Sequence, residues 1–300
     1  MNKNYLQLMT KLVFLLIFCA LLFSCGKDET FNPEQKIKRI YEGSYNGPKF
    51  LMQEWTWDND RLMQIDFYDS YNEDIILRNT EYFTYEDNKL IKVENNDAYF
   101  QISYKNKKYD RIELYRKNGY LLATWDFSYR NNKVSEIIFT DNDDYFWVSK
   151  MENEGFLSSL MPVSIMEYSS KVGEKQSSSK SSEVSTITYQ YSGNNITEIK
   201  WTFNEPDDYI IYTYNSYDKM LNPFYKHIEL GNRYIEIVTS ENNPGKAHMS
   251  ILYGLKYESD TEYLYQYNTD GFPIEVVVKT FTEDFYDTFI DLYKRYYEYE

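Results

Sequence analysis

Residues that could do catalytic or metal chemistry are sparse in this sequence. The 300 residues include two histidines, His227 and His248, and neither lies in a His-Glu-x-x-His or similar zinc-binding spacing. A serine triad would have to use one of them, and the sequence has no Gly-x-Ser-x-Gly elbow. We therefore interpret both histidines as surface or lightly buried residues, and we predict no metal site, no cofactor and no catalytic residue.

Carboxylates are plentiful, with 47 Asp and Glu residues. A glycosidase uses two carboxylates about 5–10 Å apart in a cleft, so a carboxylate-based polysaccharide hydrolase stays open as an alternative. The run Asp141-Asn142-Asp143-Asp144 has the composition of a hard-cation site, but a calcium loop also needs a fixed Gly and a distal Glu. We interpret this run as a polar hairpin turn.

Cys25 has the clearest predicted chemistry. Lys3 and Lys11 accompany an uncharged apolar run, Leu12–Phe23, which is too short for a comfortable membrane span. The run leads into Ser24-Cys25-Gly26, which resembles a bacterial lipobox, where the signal is cleaved before Cys and the thiol is lipidated. We predict a lipoprotein signal peptide over residues 1–24 and lipidation of Cys25. An ordinary signal peptide or a membrane anchor that happens to contain Cys is the alternative.

The residues after Cys25 indicate where the protein is exported. Lys27, Asp28 and Glu29 resemble the export tag that sends lipoproteins of Bacteroidota to the outer face of the outer membrane, although a charged tether would look similar. Residues 25–40 are predicted to form the lipidated Cys and a flexible tether. We predict an outer-membrane lipoprotein, attached through the lipid on Cys25, that faces the cell surface rather than the periplasm.

The composition argues against a nucleic-acid partner and for a folded β protein. The net charge is −15, whereas phosphate binding needs clustered Lys and Arg. Hydrophobic residues make up 42% of the chain, enough for a core. The chain also has 33 Tyr, a residue that favours strands and can cover a sheet while its hydroxyl reaches water.

The chain is organised around a repeated unit, clearest at Phe83–Val93: an aromatic strand, a tight Asn/Asp turn with a cation, and a returning aliphatic strand. In five copies an aromatic residue before the turn is followed eight residues later by an aliphatic one, as in hairpins of one fixed register. We interpret these residues as structural anchors: Trp57 with Ile65, Tyr85 with Val93, Tyr104 with Ile112, Tyr129 with Ile137, and Tyr191 with Ile199. Leu62, Leu90, Val134 and Ile196 stand three residues before the second anchor, on the opposite face of a plain strand, and their environment stays open.

Period-two alternation predicts the architecture. Trp125, Phe127 and Tyr129 share one strand face and polar residues the other, which is typical of an antiparallel sheet wetted on one side. We predict one all-β domain over residues 41–300, a large antiparallel meander of about 12–14 strands built from repeated β-hairpins and curled or closed into a barrel-like sheet. Its serine-rich segment, residues 169–185, is predicted to be a mobile loop, with a domain linker as the alternative.

The repeat breaks in the later part of the chain. Asn222-Pro223-Phe224 departs from the pattern, and Pro223 should end a strand. Residues 224–246 are expected to be less regular, with a short helix, and Ser240–Gly245 is expected to form a turn. Strands are expected to resume at these places: Met249–Tyr257, Thr261–Tyr267, Ile274–Phe281 and near Phe285–Tyr297.

These motifs carry a family resemblance. The Tyr-x-Tyr strands with Asn/Asp turns look like YD-type repeats, and Tyr265-x-Tyr267-Asn-x-Asp270-Gly271-Phe272-Pro273 adds to the likeness. The chain is similar to a tyrosine-rich lipoprotein family of Bacteroidota, a domain of unknown function with a porin-like β fold, over most of residues 50–300. The resemblance implies one large curled sheet or barrel and no catalytic residue. A membrane-spanning barrel is the structural rival, but the charged polar faces favour an apolar face turned inward.

Three functions stay open on the sequence. The first is a non-catalytic module that binds glycan or protein through exposed aromatic residues or the mouth of a barrel. The second is a structural envelope component without a ligand, and the third is the polysaccharide hydrolase. Because hairpin packing explains the repeat, we expect function where the repeat breaks: the serine-rich loop, residues 222–245 and the outward aromatic residues.

Overall fold

The computed structural model describes residues 31, 33–71, 74–142, 183–203, 208–230, 235–237, 240–252, 256–283 and 288–300. Cys25, Lys27, Asp28, Glu29 and residues 169–182 lie outside this part of the chain, so the predictions made on them stay predictions. In the described part, no helix is long and apolar enough to cross a membrane.

The described residues form eighteen strands. Their bounds are β1 (Ile37–Ser44), β2 (Phe50–Asp58), β3 (Arg61–Tyr71), β4 (Asp74–Glu86), β5 (Lys89–Glu94), β6 (Ala98–Lys105), β7 (Lys108–Arg116), β8 (Leu121–Arg130), β9 (Lys133–Asp141), β10 (Glu183–Ser192), β11 (Asn195–Thr202), β12 (Tyr209–Leu221), β13 (Ile228–Leu230), β14 (Ile235–Ile237), β15 (Asn242–Leu252), β16 (Lys256–Tyr267), β17 (Pro273–Glu283) and β18 (Thr288–Tyr299).

Sixteen of these described strands close into one antiparallel barrel. Each strand pairs with the next along the chain, except that β12 pairs with β15, and β1 pairs with β18 to complete the ring. Strands β13 and β14 form a separate two-stranded sheet within the connection from β12 to β15. The predicted all-β meander is confirmed, and its sheet is closed. The barrel has more strands than the 12 to 14 expected, in part because β1 begins inside the segment predicted to be a tether.

The turns of the five repeats all lie at one end of the barrel, which we call the turn end. In an antiparallel meander the connections after β2, β4, β6, β8 and β10 fall at the same end. Their two-residue loops adopt the positive φ angles of primed hairpin turns, at Asn59, Asp87, Asn88, Asn106, Lys107, Asn131, Asn132 and Gly193. Asn, Asp and Gly tolerate this conformation, which explains why the repeat carries them.

A β-bulge after each turn explains the environment of the residues that stand three positions before the second anchor of each repeat. In the first repeat Trp57 pairs with Leu62 and Thr56 with Gln64, so Met63 is left out of the register. The same shift occurs at the turn-end side of the other four hairpins. The extra residue reverses the alternation, so Leu62 and Ile65 face the same side although they are three residues apart. Leu62, Leu90, Val134 and Ile196 are accordingly all buried.

The apolar face of the sheet turns inward. A single closed sheet has one inner face, and the side chains of Trp125, Ile112 and Ile137 are fully buried there. The outer face carries ion pairs such as Arg39 with Glu54 at 2.6 Å and Arg111 with Asp126 at 2.6 Å. The barrel therefore has the inward apolar polarity that the charged strand faces predicted.

Part of the interior away from the turn end is polar. There Arg295 reaches Glu42 at 3.0 Å, and coulombic attraction to Glu42 and nearby tyrosines raises the pKa of Arg295 against the opposing effect of burial. Four hydroxyl side chains of β16 and β17 are also buried: Ser259, Thr261, Thr280 and Thr282. Glu81 and Asn79 on β4 are buried as well, whereas Leu114 and Ile251 keep other parts of the same end apolar.

Three sequence expectations need correction. The barrel domain includes residues before 41, because Phe31 is buried in the core and β1 starts at Ile37. The turn expected at residues 240–245 is instead the start of β15, where register shifts opposite β12 accommodate Pro244. The short helix expected in residues 224–246 is absent from the described part of that stretch, which holds a turn at residues 223–226 and the β13–β14 pair.

Candidate functional site

The turn end is closed by a short stretch between β12 and β13, residues Asn222–His227, which we call the cap segment. Asn222 Oδ1 accepts a hydrogen bond from the backbone N–H of Phe224 at 3.0 Å, and the N–H of His227 donates to the Phe224 carbonyl at 2.7 Å. These local bonds fold the segment into a tight turn. The strand does end before Pro223, as predicted, and the chain enters the barrel mouth instead.

The cap segment is anchored by aromatic packing inside the mouth. The ring of Phe224 lies 6.1 Å from Trp55 and 5.8 Å from Tyr297, and the ring of His227 lies 4.8 Å from Phe31 and 5.2 Å from Trp55. Burial among these rings lowers the pKa of His227 to about 3, so its imidazole is neutral near pH 7. His227 is therefore a core residue, more deeply buried than the sequence interpretation expected.

The repeat tyrosines and turn cations form a continuous arrangement along the rim. The cation that follows each turn lies over the anchor tyrosine of the next hairpin, in the pairs Arg61 over Tyr85, Lys89 over Tyr104, Lys108 over Tyr129 and Lys133 over Tyr191, at 4.8–5.8 Å. The Tyr85 hydroxyl donates to the Leu62 carbonyl at 3.0 Å, and the Tyr104 hydroxyl to the Leu90 carbonyl at 2.7 Å. Each hairpin is thus joined to its neighbour by a cation–π contact, and these two tyrosines add a hydrogen bond to the main chain.

A cleft with two parts lies between the cap segment and this rim. The first part, the aromatic lobe, has a volume of about 270 Å³. It is lined by tyrosines, side-chain amides and two lysines: Tyr109, Tyr129, Tyr191, Tyr225, Asn131, Asn132, Asn194, Lys133 and Lys226, together with Val134. Aromatic faces beside amide groups form a surface that can stack on a flat ligand and hydrogen-bond its edges.

The second part, the acidic lobe, is larger, at about 830 Å³. Its described lining has four carboxylates and several polar residues: Glu34, Asp58, Asp60, Glu241, Asn59, Asn88, Asn222, Arg61, Pro33, Leu221 and Phe272. Tyr225 and Lys226 line both lobes, so the tip of the cap segment divides them. Burial, and to a lesser extent the nearby carboxylate of Glu241, raises the pKa of Tyr225 above its ordinary value.

The acidic lobe offers carboxylates but little free acid–base chemistry. Lys36 Nζ lies 3.2 Å from Asp60, and Asn194 Nδ2 donates to Glu241 at 2.8 Å. Among the described residues, no three His, Cys, Asp or Glu side chains cluster as metal ligands. Two of the four carboxylates of the acidic lobe, Asp60 and Glu241, are thus held by a neighbouring side chain.

The residues singled out from sequence fall into distinct places. The ten repeat anchors all lie in the inner core or packed against it: Trp57, Tyr85, Tyr104, Tyr129 and Tyr191 are partly buried near the turn end, and Ile65, Val93, Ile112, Ile137 and Ile199 are buried deeper. His248 lies on the outer wall, where its Nδ1 is 2.9 Å from Asp260. Tyr45, Tyr82 and Tyr120 are exposed outside the cleft.

Tyr225 and Lys226 were missed individually by the sequence interpretation, although the break in the repeat at Asn222 pointed to their segment. Lys226 adopts φ +69°, an unusual conformation for a residue with a long side chain. A residue held in this region often marks a functional position, because the surrounding structure has to maintain it. The sequence alone gives no sign of that conformation, since Lys has no preference for it.

Comparisons with known proteins bear on the fold. No protein-family model matches the chain, and no curated protein matches it. Among solved structures, a porin-like protein from Bacteroides uniformis matches 90% of this chain and 99% of its own with a TM-score of 0.55 at 11% identity. A porin-like protein from Bacteroides vulgatus matches 89% of this chain and 99% of its own with a TM-score of 0.48 at 11% identity. The first similarity is one of fold: this chain shares the antiparallel barrel of that porin-like protein, which confirms the β fold implied by the sequence resemblance.

Proposed function

We propose that this chain is a lipid-anchored outer-membrane protein of the cell envelope that binds carbohydrate at the turn end of its barrel. The observation that carries the proposal is the aromatic lobe, in which four tyrosines and three Asn side chains surround a cleft of about 270 Å³. Sugars offer a flat apolar ring face and a hydroxyl edge, and this lining has groups for both.

The closed architecture narrows where a ligand can bind. The closed barrel has no open sheet edge, and its inner face is filled by the core. The mouth is therefore the concave surface that the barrel offers, whereas the exposed tyrosines Tyr45, Tyr82 and Tyr120 lie outside the cleft. The mouth at the turn end is filled by the cap segment, and the cleft lies around its tip. The exposed residues of the turns are mainly Asn, Asp, Lys and Arg, so the described part of the rim has no broad apolar patch of the kind that marks a hydrophobic protein interface.

Lipidation of Cys25 would place the cleft near the membrane. Phe31 packs against Trp57 at the turn end, with ring centroids 5.8 Å apart. Cys25 precedes Phe31 by six residues, which can span about 20 Å when extended. This geometry supports a ligand located in the glycan layer close to the membrane surface. Lys27, Asp28 and Glu29 support export to the cell surface.

The experiment that tests the proposal is binding of the full chain, purified in detergent, to a panel of immobilised neutral and acidic oligosaccharides. Tyr225→Ala removes an aromatic face from both lobes, and Tyr82→Ala, on the exposed outer face of β4, is the matched control. We expect Tyr225→Ala to weaken binding about tenfold or more while Tyr82→Ala leaves it unchanged. Failure of the unaltered chain to bind any oligosaccharide refutes the proposal, and cleavage of a bound probe would replace it by the hydrolase alternative.

The location has a separate test. A Cys25→Ala variant should lose lipid labelling and membrane association, because the apolar core is turned inward and ion pairs lie on the outer face. If the variant remains in the membrane fraction, the lipid anchor is not what holds the protein there.

A further inference from the structure

Charge is unevenly distributed around the turn end. The hairpin turns at residues 105–110 and 130–133 carry Lys105, Lys107, Lys108, Arg130 and Lys133 against one carboxylate, Asp110. The turns at residues 58–61 and 86–89 carry Asp58, Asp60, Glu86 and Asp87 against Arg61 and Lys89. One sector of the rim is therefore positive although the whole chain has a net charge of −15.

The aromatic lobe lies in the positive sector. Its described lining includes Lys133 and Lys226 and no carboxylate, and the carboxylates of the cleft line the acidic lobe. Lys226 lines both lobes, and Glu241 of the acidic lobe reaches their boundary, where Asn194 Nδ2 donates to it at 2.8 Å. Lys133 lies over the ring of Tyr191 at 5.1 Å and hydrogen-bonds the Gly193 carbonyl, so neither partner neutralises its charge. Its ammonium is held in place at the edge of the lobe.

Lys226 provides the second cation, and the cap segment fixes its position. Its backbone has φ +69°, and buried residues lie on both sides of it in the chain: His227 directly after it, among aromatic rings, and Phe224 two positions before it, in the mouth. The ammonium of Lys226 lies 5.4 Å from the centre of the Tyr225 ring, and in the described residues no carboxylate forms an ion pair with it. The chain has 47 Asp and Glu residues, yet none of the described residues that line the aromatic lobe offers Lys226 a carboxylate.

We propose that the aromatic lobe selects an acidic sugar, a hexuronate or similar carboxylate-bearing residue of a polysaccharide, whose ring stacks on the tyrosines and whose carboxylate lies between Lys133 and Lys226. The inference rests on the proposed carbohydrate binding and specifies its substrate class. A carboxylate at this position would pair with two cations that have no acidic partner in the lobe, while the acidic lobe would repel further anionic residues from the other side of the cap tip. The cleft would therefore favour a polysaccharide that places a single acidic sugar in the aromatic lobe over a polyanion that lies along the whole mouth.

The test compares two probes that differ in charge and share the same sugar ring: hexagalacturonate and its fully methyl-esterified form. Binding of both to the full chain in detergent is measured by titration calorimetry at low and at physiological salt. Lys226→Met removes one cation from the lobe, and Lys279→Met, an exposed lysine on the outer face of β17, is the matched control for loss of one charge. The thermal unfolding midpoint of each variant verifies that it is folded.

We expect the acid to bind about tenfold more tightly than the ester, and the difference to shrink as salt is raised. Lys226→Met should weaken binding of the acid about threefold to fivefold more than it weakens binding of the ester. Lys279→Met should change neither affinity. Equal affinity for acid and ester overturns the acidic specificity and leaves the proposed function standing. If Lys226→Met still binds the acid more tightly than the ester by the same factor as the unaltered chain, the anion site lies elsewhere, and the inference is also overturned. Absence of binding to both probes and to every other oligosaccharide of the panel overturns the proposed function itself.

Discussion

Glu81 should make the barrel less stable as the pH rises, and replacing it with Gln should abolish this dependence. Its side chain is 5% exposed on the inner face of β4, paired across the strands with Ile65 and followed on the same face by Phe83. Among the described residues, no hydrogen bond or ion pair to Glu81 is found, and the nearby Asn79 Nδ2 is buried without a partner. Burial without compensation raises the pKa of Glu81 from 4.5 to about 8.

The sign and size follow from proton linkage. The folded state holds the proton more tightly than the unfolded chain, so between pH 4.5 and about 8 unfolding releases a proton, and the free energy of unfolding falls as pH rises. At about 1.4 kcal/mol per pH unit, the full window corresponds to about 5 kcal/mol, an upper limit because a buried site relaxes and admits water. Gln resembles the protonated carboxyl, so Glu81→Gln should match the unaltered protein at pH 4.5 and exceed its stability by several kcal/mol at pH 9.

Urea unfolding of the full chain at pH 4.5, 7 and 9 measures this difference, with Glu283→Gln, an exposed residue of β17, as the control that should change little at any pH. The carbon-13 chemical shift of the Glu81 carboxyl, followed across the same range, reports its titration directly. If Glu81→Gln and the unaltered protein show the same pH dependence, or if the carboxyl titrates near pH 4.5, the reasoning from desolvation is refuted.

Three further predictions concern the core and the rim. Burial lowers the pKa of His227 to about 3, so between pH 6.5 and 3 the unfolded chain binds the proton more tightly than the folded chain, and stability falls on acidification. His227→Phe should lose less stability between pH 6.5 and pH 4 than the unaltered protein, as measured by thermal unfolding at both pH values. Tyr104→Phe removes the hydroxyl that donates to the Leu90 carbonyl and should cost about 1 kcal/mol in urea unfolding, and an unchanged midpoint would mean that water replaces the bond. Leu62→Ala should cost about 2–5 kcal/mol and Met63→Ala less than about 1 kcal/mol, because the bulge points the first residue into the core; equal costs would contradict the observed register.

Hairpin register was predictable because each repeat carries two independent signals for it. One is the type of residue in the turn, and the other is the constant spacing of the two anchors. Asn106 and Lys107 show the strength of the pattern, since this weakest turn by composition adopts the same positive φ angles as Asn131 and Asn132. The bulge was not predictable, because the residue left out of register has no common chemistry. It is Met63 in one repeat, Asp110 in another and Thr197 in a third.

The sequence predicted where in the chain the cleft would form, but not which residues line it. The break of the repeat at Asn222 indicated that the chain leaves the sheet there, and Pro223 does mark the end of β12. The return to the sheet was misread, because Asn243, Pro244 and Gly245 are typical turn residues by composition. In the barrel they begin β15 at a bulge, where Gly245 approaches Ser216 so closely that an added Cβ would lie 2.8 Å from its hydroxyl oxygen. Tertiary pairing with β12 overrides the local preference.

Closure of the barrel pairs its first and last strands, which makes the fold suitable for circular permutation. β1 pairs with β18 along its length, and the backbone N–H of Glu300 donates to the Lys36 carbonyl at 3.0 Å. The two ends of the ordered barrel are therefore adjacent, as circular permutation requires. A permuted chain with residue 300 linked to residue 36 and new ends in a far-end connection would keep every strand pair. The β1–β18 pairing, now the contact of longest sequence separation, would become a local hairpin, and the slow closing step of folding would move to the new seam.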